Sequence, residues 1–208
     1  MLLPIEIRLE PCELIDAPYE DGDTDEQQIL MTFVKGCKEV LEIGTFKGRT
    51  AINTLFNSKA NVTTINLETC PPDIMTHDAS YINKDKKYYY EPYVKLVKEE
   101  KIGGYEYRTY NYKEQTLLRI VGDSRYFDEL PYKDKFDLIF IDANHQYEFV
   151  SSDIMKAIVM CKTGGKVVCH DYTPNCWLGV FQSVNELIEQ GYCFKLIKDT
   201  SLVILEIE

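Results

Sequence analysis

Short runs rich in apolar residues recur along the chain, and each ends at or next to a glycine or a polar residue. Five of these runs predict strands, namely Glu39–Ile43, Val62–Leu67, Leu117–Val121, Phe136–Ile141 and Lys166–Cys169. Strands with this continuous apolar character are typical of a parallel sheet that is covered on both faces. The pattern therefore predicts strands buried between layers of helices.

Stripes of apolar residues at helical spacing separate these strands. They predict helices from Thr24 to Gly36, from Thr50 onward, through Val150–Met160 to a stop at Gly164-Gly165, and over Val180–Gln190. A strand, a helix and a second strand in this spacing form a right-handed βαβ unit with parallel strands.

The order of these elements predicts one α/β domain over residues 1–208, with a Rossmann-like, doubly wound, mostly parallel sheet and helices on both faces. Two later runs, Cys193–Ile197 and Leu202–Ile207, predict a C-terminal hairpin that is antiparallel at least in part. Residues 1–23 hold three prolines and an acidic stretch, so we expect an irregular N-terminal segment.

A tyrosine-rich stretch interrupts the alternation of strands and helices. Residues 69–115 contain nine of the fifteen tyrosines and the pair Pro71-Pro72. One interpretation is a longer crossover with a single helix from about Pro92 to Lys101 and tyrosines packed at its edges. The other is an insertion that acts as a lid over the active site.

Charge and cysteine content limit the possible partners. The formal net charge of -11 argues against general affinity for nucleic acid, because that affinity depends on cationic side chains. No apolar run is long enough for a signal peptide or a membrane span, and the seven cysteines form no C-x-x-C pair. We therefore expect a cytoplasmic protein with a small-molecule partner and no membrane partner; the sequence leaves the oligomeric state open, including a homo-oligomer.

The loop Glu42–Gly48 follows the first predicted strand, where doubly wound sheets bind nucleotides. Gly44 and Gly48 would let a ligand approach the backbone closely. The loop lacks the third glycine of a dinucleotide fingerprint, which favours a nucleoside cofactor without a pyrophosphate. A packing role for Glu42 is the alternative.

On these residues the chain resembles the class I S-adenosylmethionine-dependent methyltransferases, over about Val40 to Tyr172. The E-x-G-x-x-x-G stretch is similar to the first motif of that family, and Gly122-Asp123-Ser124 resembles its turn after the third strand, which implies that Asp123 and Ser124 lie near the adenine. Asn66 stands where relatives carry a ribose-binding acid, and Glu68 follows two residues later. The resemblance implies S-adenosylmethionine as cofactor, bound by Glu42, Gly44, Thr45, Gly48, Thr50, Asn66, Glu68, Asp123, Ser124 and Asp142.

A second signature narrows the group. Asp142, His145, Tyr147, Val150 and Asp153, followed by Gly164-Gly165 and His170-Asp171-Tyr172, resemble the pattern of the macrolide sugar O-methyltransferases and the cephalosporin hydroxylase-like group. That resemblance implies a small-molecule or sugar hydroxyl as acceptor, and His145 as the general base that removes its proton.

Asp142 and Asp171 end two apolar strands, so their carboxylates are expected to converge at one edge of the sheet. This arrangement suits Mg²⁺. In the sugar methyltransferases an acidic residue usually precedes the second aspartate, but in this chain His170 stands at that position. His170 either leaves the metal site one carboxylate short or binds the metal itself, which would favour Mn²⁺. The alternatives are a helix N-cap for Asp142 and a capping or surface role for His145.

The leading hypothesis is metal-assisted O-methyl transfer from S-adenosylmethionine. A metal-independent methyltransferase with another acceptor and a non-catalytic module that binds the cofactor are the rivals. A nicotinamide-dependent dehydrogenase is disfavoured by the missing glycine.

Overall fold

The computed structural model describes residues 2, 4–14, 24–67, 88 and 90–208. Four helices and ten strands form in these ranges. The helices are α1 (Thr24–Val34), α2 (Arg49–Asn57), α3 (Tyr147–Met160) and α4 (Leu178–Glu189). The strands are β1 (Pro4–Ile5), β2 (Glu39–Ile43), β3 (Asn61–Asn66), β4 (Lys95–Ile102), β5 (Tyr105–Tyr112), β6 (Gln115–Val121), β7 (Phe136–Ile141), β8 (Cys161–Cys169), β9 (Lys195–Ile197) and β10 (Val203–Glu206).

All ten strands join one sheet in the order β1-β9-β10-β8-β7-β2-β3-β6-β5-β4. Its centre, β8-β7-β2-β3-β6, is parallel throughout, and β10 pairs antiparallel with both β8 and β9. The predicted fold class, the mostly parallel sheet and the C-terminal hairpin are therefore confirmed.

Helices cover both faces of the sheet, as the continuous apolar strands predicted. Alternate residues of β2 show the two layers: Val40 packs into the core beneath α1, and Leu41 packs into the core beneath α3 and α4. Helix α2 packs over Val62 and Leu117 on the α1 side. No helix within the described ranges is both long and apolar enough to cross a membrane.

Two predicted boundaries were wrong around the third helix. That helix ends at Met160, and Gly164-Gly165 lie inside β8 instead of ending the helix. Strand β8 begins early because Cys161 pairs with Phe136, after which the register shifts and Gly164 adopts a left-handed backbone with φ 78°. The two glycines therefore belong to an irregularity of the strand.

The helix predicted from Pro92 to Lys101 was also wrong. Strands β4 and β5 form an antiparallel hairpin whose turn is Gly103-Gly104, both with positive φ. A two-residue turn of this kind matches the twist of the flanking strands, so the glycine pair favours the hairpin. Strand β5 pairs with β6 and thereby adds the hairpin to the edge of the sheet. Residues 69–87 of the tyrosine-rich stretch lie outside the described ranges.

In the N-terminal segment, Pro4–Ile5 forms a short strand parallel to β9, and residues 6–14 form no helix or strand.

Candidate functional site

The carboxyl end of β2 lies where the sheet reverses its order, since β2 has β7 on one side and β3 on the other. Ligands of doubly wound sheets bind in the crevice at such a switch point. The loop that follows β2 and the residues that follow β7 and β8 all lie at this edge. The sites predicted for the cofactor and for a metal are therefore neighbours.

The two glycines of the β2–α2 loop are required by contacts within the protein. Gly44 has φ 94°, and a Cβ there would lie 2.0 Å from the carbonyl oxygen of Asp142. A Cβ on Gly48, at φ 78°, would lie 2.6 Å from the ring of Tyr90. Both close approaches are to atoms of the protein itself, so packing alone requires glycine at these two positions. A side chain at Gly44 would displace the chain after β7.

A pocket of about 480 Å³, including its solvent-open mouth, lies between α1 and this loop. Glu42 lines it and is 3% exposed, and burial, reinforced by the charge of Asp142, raises the pKa of Glu42 well above its usual value. The bond to Thr50 offsets this only in part. Glu42 Oε2 and Thr45 Oγ1 hydrogen-bond to no residue that the structure describes. These buried polar atoms are suited to receive a polar ligand.

The residues predicted to hold ribose and adenine lie at the neighbouring strand ends. Asn66 ends β3, and its amide donates to the carbonyl of Leu67 at 2.9 Å. The Asp123 carboxylate, after β6, accepts three bonds from the Arg125 side chain and one from its backbone N–H. Ser124 begins the short turn that follows. Glu68 lies outside the described ranges.

Asp142, His170 and Asp171 converge at the carboxyl ends of β7 and β8. One ligand atom from each lies within 4.8 Å of the others. The parallel register that pairs Ile141 with Cys169 brings them together, as predicted for the two carboxylates. Helix α3 begins only at Tyr147 with Gln146 at its N-cap position, so Asp142 is not a helix cap.

His170 is fixed between three carboxylates. Its Nε2 makes a 2.7 Å hydrogen bond with Glu26, while Nδ1 lies 3.3 Å from Asp142 and 3.1 Å from Asp171. Nδ1 is buried, and it has hydrogen-bond geometry to no described residue. Burial alone would lower the pKa of His170, but the three carboxylates outweigh it and raise that pKa well above its ordinary value. The site therefore carries a strong negative potential that holds a positive charge.

His145 completes the cluster. Its Nε2 lies 2.9 Å from Asp171 Oδ2, and its ring stacks on Trp177 with centroids 3.9 Å apart. Burial works to raise the pKa of Asp171, but His145 and His170 together hold it well below its usual range. The His145 side chain is only 20% exposed, so it is not a surface histidine.

The region that contains the central strands and the candidate site residues matches a known family model. The model described as a methyltransferase domain matches residues 41–172, more than half of the chain. The chain belongs to this methyltransferase family. The relationship to S-adenosylmethionine-dependent methyltransferases predicted from the sequence is thereby confirmed.

Solved methyltransferases share this fold at low sequence identity. The methyltransferase PaMTH1 of Podospora anserina, solved with S-adenosylhomocysteine bound, aligns at a TM-score of 0.57 and 14% identity over 88% of this chain and 78% of its own. The O-methyltransferase NovP aligns at 0.57 and 12% identity over 88% and 79%. CalS11, a TDP-rhamnose 3'-O-methyltransferase of calicheamicin biosynthesis, aligns at 0.50 and 12% identity over 88% and 76%. No curated protein sequence matches the chain significantly.

Three residues that contact the candidate site residues were not predicted from the sequence. Glu26 on α1 bonds His170, Ser201 bonds Glu26, and Trp177 stacks on His145. Glu26 and Ser201 lie 175 residues apart and in no motif, so no local signal could have paired them. Trp177 had one signal: it is the single tryptophan of the chain and follows the His170-Asp171-Tyr172 motif closely.

Proposed function

We propose that this methyltransferase transfers the methyl group of S-adenosylmethionine to a hydroxyl of a small molecule or sugar, with help from a divalent cation. The observation that carries the proposal is the cluster of Asp142, His170 and Asp171 with His145 beside it, at the same sheet edge as the Gly44 loop. The names of NovP and CalS11, both O-methyltransferases and the second acting on a sugar, support oxygen as the acceptor atom.

The cofactor is proposed to lie along the carboxyl ends of β2, β3 and β6. Its methionine end would enter the pocket lined by Glu42 and Thr45, whose unpartnered oxygens are suited to an ammonium group. Asn66 would face the ribose, and the turn at Asp123 and Ser124 would face the adenine. The remaining proposed contacts are Gly44, Gly48, Thr50, Glu68 and Asp142.

The cluster at β7 and β8 fits a divalent cation. Two carboxylates and one imidazole nitrogen converge, and His170 Nδ1 is a buried atom with hydrogen-bond geometry to no described residue. A cation held by Asp142, His170 and Asp171 would supply charge that binds the acceptor and lowers the pKa of its hydroxyl. The mixed oxygen and nitrogen set favours Mn²⁺ over Mg²⁺.

His145 is proposed to accept the proton of the acceptor hydroxyl as the methyl group moves. With Nε2 2.9 Å from Asp171 Oδ2, the ring is oriented, and in the neutral tautomer that carries its proton on Nε2 the lone pair is on Nδ1. Methyl transfer requires the acceptor oxygen in line with the bond between sulfur and methyl carbon, so positioning by the surrounding side chains supplies much of the rate.

The test measures transfer of a labelled methyl group to a panel of hydroxyl acceptors that includes TDP-sugars. We expect transfer that is lost after chelation and restored by Mn²⁺ or Mg²⁺, and Asp171→Asn should lower kcat by at least about 10²-fold. Asp134→Asn is the matched control. Asp134 also has a left-handed backbone conformation (φ 51°), but it is exposed and lies just before β7, at the amino end of that strand and away from the cluster. The lack of any affinity for S-adenosylmethionine or S-adenosylhomocysteine by calorimetry would refute the proposal.

One observation favours a metal-independent alternative. The His170 ring, among Glu26, Asp142 and Asp171, is itself placed to carry the positive charge of the site. Full activity of chelated protein would establish this alternative. Cofactor binding without transfer to any acceptor would instead support a non-catalytic binding module.

A further inference from the structure

The carboxylate of Glu26 joins three separate parts of the chain. Glu26 lies in the first turn of α1, and its side chain is 12% exposed. One oxygen accepts a 2.7 Å hydrogen bond from His170 Nε2, and the other accepts bonds from the Ser201 backbone N–H at 2.6 Å and the Ser201 hydroxyl at 3.0 Å. Glu26 therefore ties α1 to the end of β8 and to the turn between β9 and β10.

The first of these bonds sets the direction of the His170 ring. An imidazole has two nitrogens on opposite sides of the ring, so fixing one of them fixes the direction of the other. With Nε2 held by Glu26, Nδ1 faces the carboxylates of Asp142 and Asp171. A carboxylate on the far nitrogen is the arrangement that orients histidine ligands of metals generally.

The bonds to Ser201 support Asp171. The Ser201 hydroxyl oxygen accepts the backbone N–H of Asp171 at 3.3 Å, and the Ser201 carbonyl accepts the N–H of Tyr172 at 2.9 Å. Asp171 has φ 60°, a left-handed conformation that is unfavourable for a residue other than glycine. Ser201, itself held by Glu26, therefore stabilises the backbone that directs the Asp171 carboxylate into the site.

We propose that Glu26 is the positioning residue of the catalytic cluster: it holds His170 Nδ1 and, through Ser201, the Asp171 carboxylate in the arrangement that binds the cation. The proposal rests on the proposed function for the cation, whereas the orientation of His170 by Glu26 can be measured without one.

Two substitutions separate positioning from charge. Glu26→Gln removes the charge and keeps the length of the side chain, and Glu26→Asp keeps the charge but is one methylene too short for the 2.7 Å bond. Glu6→Gln, at an exposed glutamate on the N-terminal segment, controls for the change in net charge. The first measurement is calorimetric Mn²⁺ affinity, which we expect to fall about 10- to 100-fold in both Glu26 variants and to stay unchanged in Glu6→Gln.

The second measurement is the ring nitrogen resonances of His170 in metal-free protein by ¹⁵N NMR, with His170→Gln used for assignment. We expect both Glu26 variants to shift these resonances, because Nε2 loses its charged partner in Glu26→Gln and the carboxylate no longer reaches Nε2 in Glu26→Asp. Parent-like resonances in both variants would overturn the proposal, as would parent-like Mn²⁺ affinity in Glu26→Asp, which would show that charge alone matters. If the parent binds no Mn²⁺, the cation part of the proposed function fails, and the NMR measurement alone decides whether Glu26 orients His170.

Discussion

At the scale of single residues, the orientation of the two histidine rings depends on which ring nitrogen contacts a carboxylate. Nε2 of His170 contacts the Glu26 carboxylate, and Nε2 of His145 contacts the Asp171 carboxylate. Asp171 thus contacts both rings through the same oxygen, Oδ2. Its carboxylate connects the residue proposed as base to the residues proposed as ligands, so a change at Asp171 is expected to affect both functions together.

His145→Ala tests the proposed base. We expect kcat to fall by about 10² to 10⁴, with affinity for S-adenosylhomocysteine nearly unchanged, because only proton removal is lost. The loss should shrink at high pH, where hydroxide deprotonates the acceptor unaided. Methyl transfer measured between pH 6 and pH 10, under conditions where chemistry limits the rate, provides the profile.

Trp177 supplies a control for that substitution. It is the single tryptophan of the chain and stacks on the His145 ring, so its emission reports the contact directly. Emission that changes in His145→Ala while kcat stays within a few-fold of the parent would show that the ring is in place but is not the base.

At the scale of elements, α3 supports the turn proposed to face the adenine. Lys156 on this helix donates to the carbonyls of Ser124, Arg125 and Phe127 at 2.6 to 2.8 Å. Asp153, one turn earlier, is 1% exposed, and burial raises its pKa to about 7 despite the opposing effects of Ser124 and Lys156. The last aspartate of the sequence signature is therefore a buried acid beneath the turn and lies outside the cluster of Asp142, His170 and Asp171.

Asp153→Asn should change how stability depends on pH. Because the folded-state pKa of about 7 lies above the unfolded value of 3.8, the protonated acid stabilises the fold fully below pH 3.8, and this stabilisation is lost as pH rises through 7. The variant should therefore gain stability relative to the parent between pH 4 and pH 8, measured by urea unfolding. Glu148→Gln, at an exposed residue in the first turn of the same helix, is the control. A difference between variant and parent that does not change with pH would contradict the assignment.

The β4–β5 hairpin lies where a helix from Pro92 to Lys101 was predicted. Residues 95–102 are rich in lysine and glutamate, which favour helices, yet Gly103-Gly104 and the alternating tyrosines of β5 are hairpin signals. Tyrosines nearby are buried through tertiary contacts: Tyr88 accepts a hydrogen bond from buried Arg119, and Tyr90 packs on Gly48. These contacts connect the tyrosine-rich stretch to the β2–α2 loop.

At the scale of the whole molecule, the proposed cofactor site joins β2, β3, β6 and β7, which lie side by side in the central sheet. A ligand bound there should stabilise the global fold. S-adenosylhomocysteine at 100 times its Kd should add about 2.7 kcal/mol, which raises Tm by about 5 to 10 °C in a chain of this size. Calorimetric melting is the measurement, with NAD⁺ as the control ligand that should leave Tm unchanged. A rise with NAD⁺ and none with S-adenosylhomocysteine would contradict the assignment of the loop.

The sequence by itself determined the layers of the fold and the edge of the sheet at which the candidate site residues meet. Continuous apolar runs predict strands that are buried on both faces, and parallel strands bring their carboxyl ends together, so the sequence alone places Asp142 and Asp171 side by side. These two features can be predicted because the burial of a strand and its direction follow from the order of residues within each element.

Only the tertiary structure decided what surrounds those residues. Glu26 reaches His170 across 144 positions of sequence, and Gly44 is required by the backbone of Asp142, a residue of another strand. Such contacts depend on where separate elements meet in space. A local pattern carries no information about the distance between residues of different elements, so the orientation of the two histidines and the residue that sets it could be found only in the folded chain.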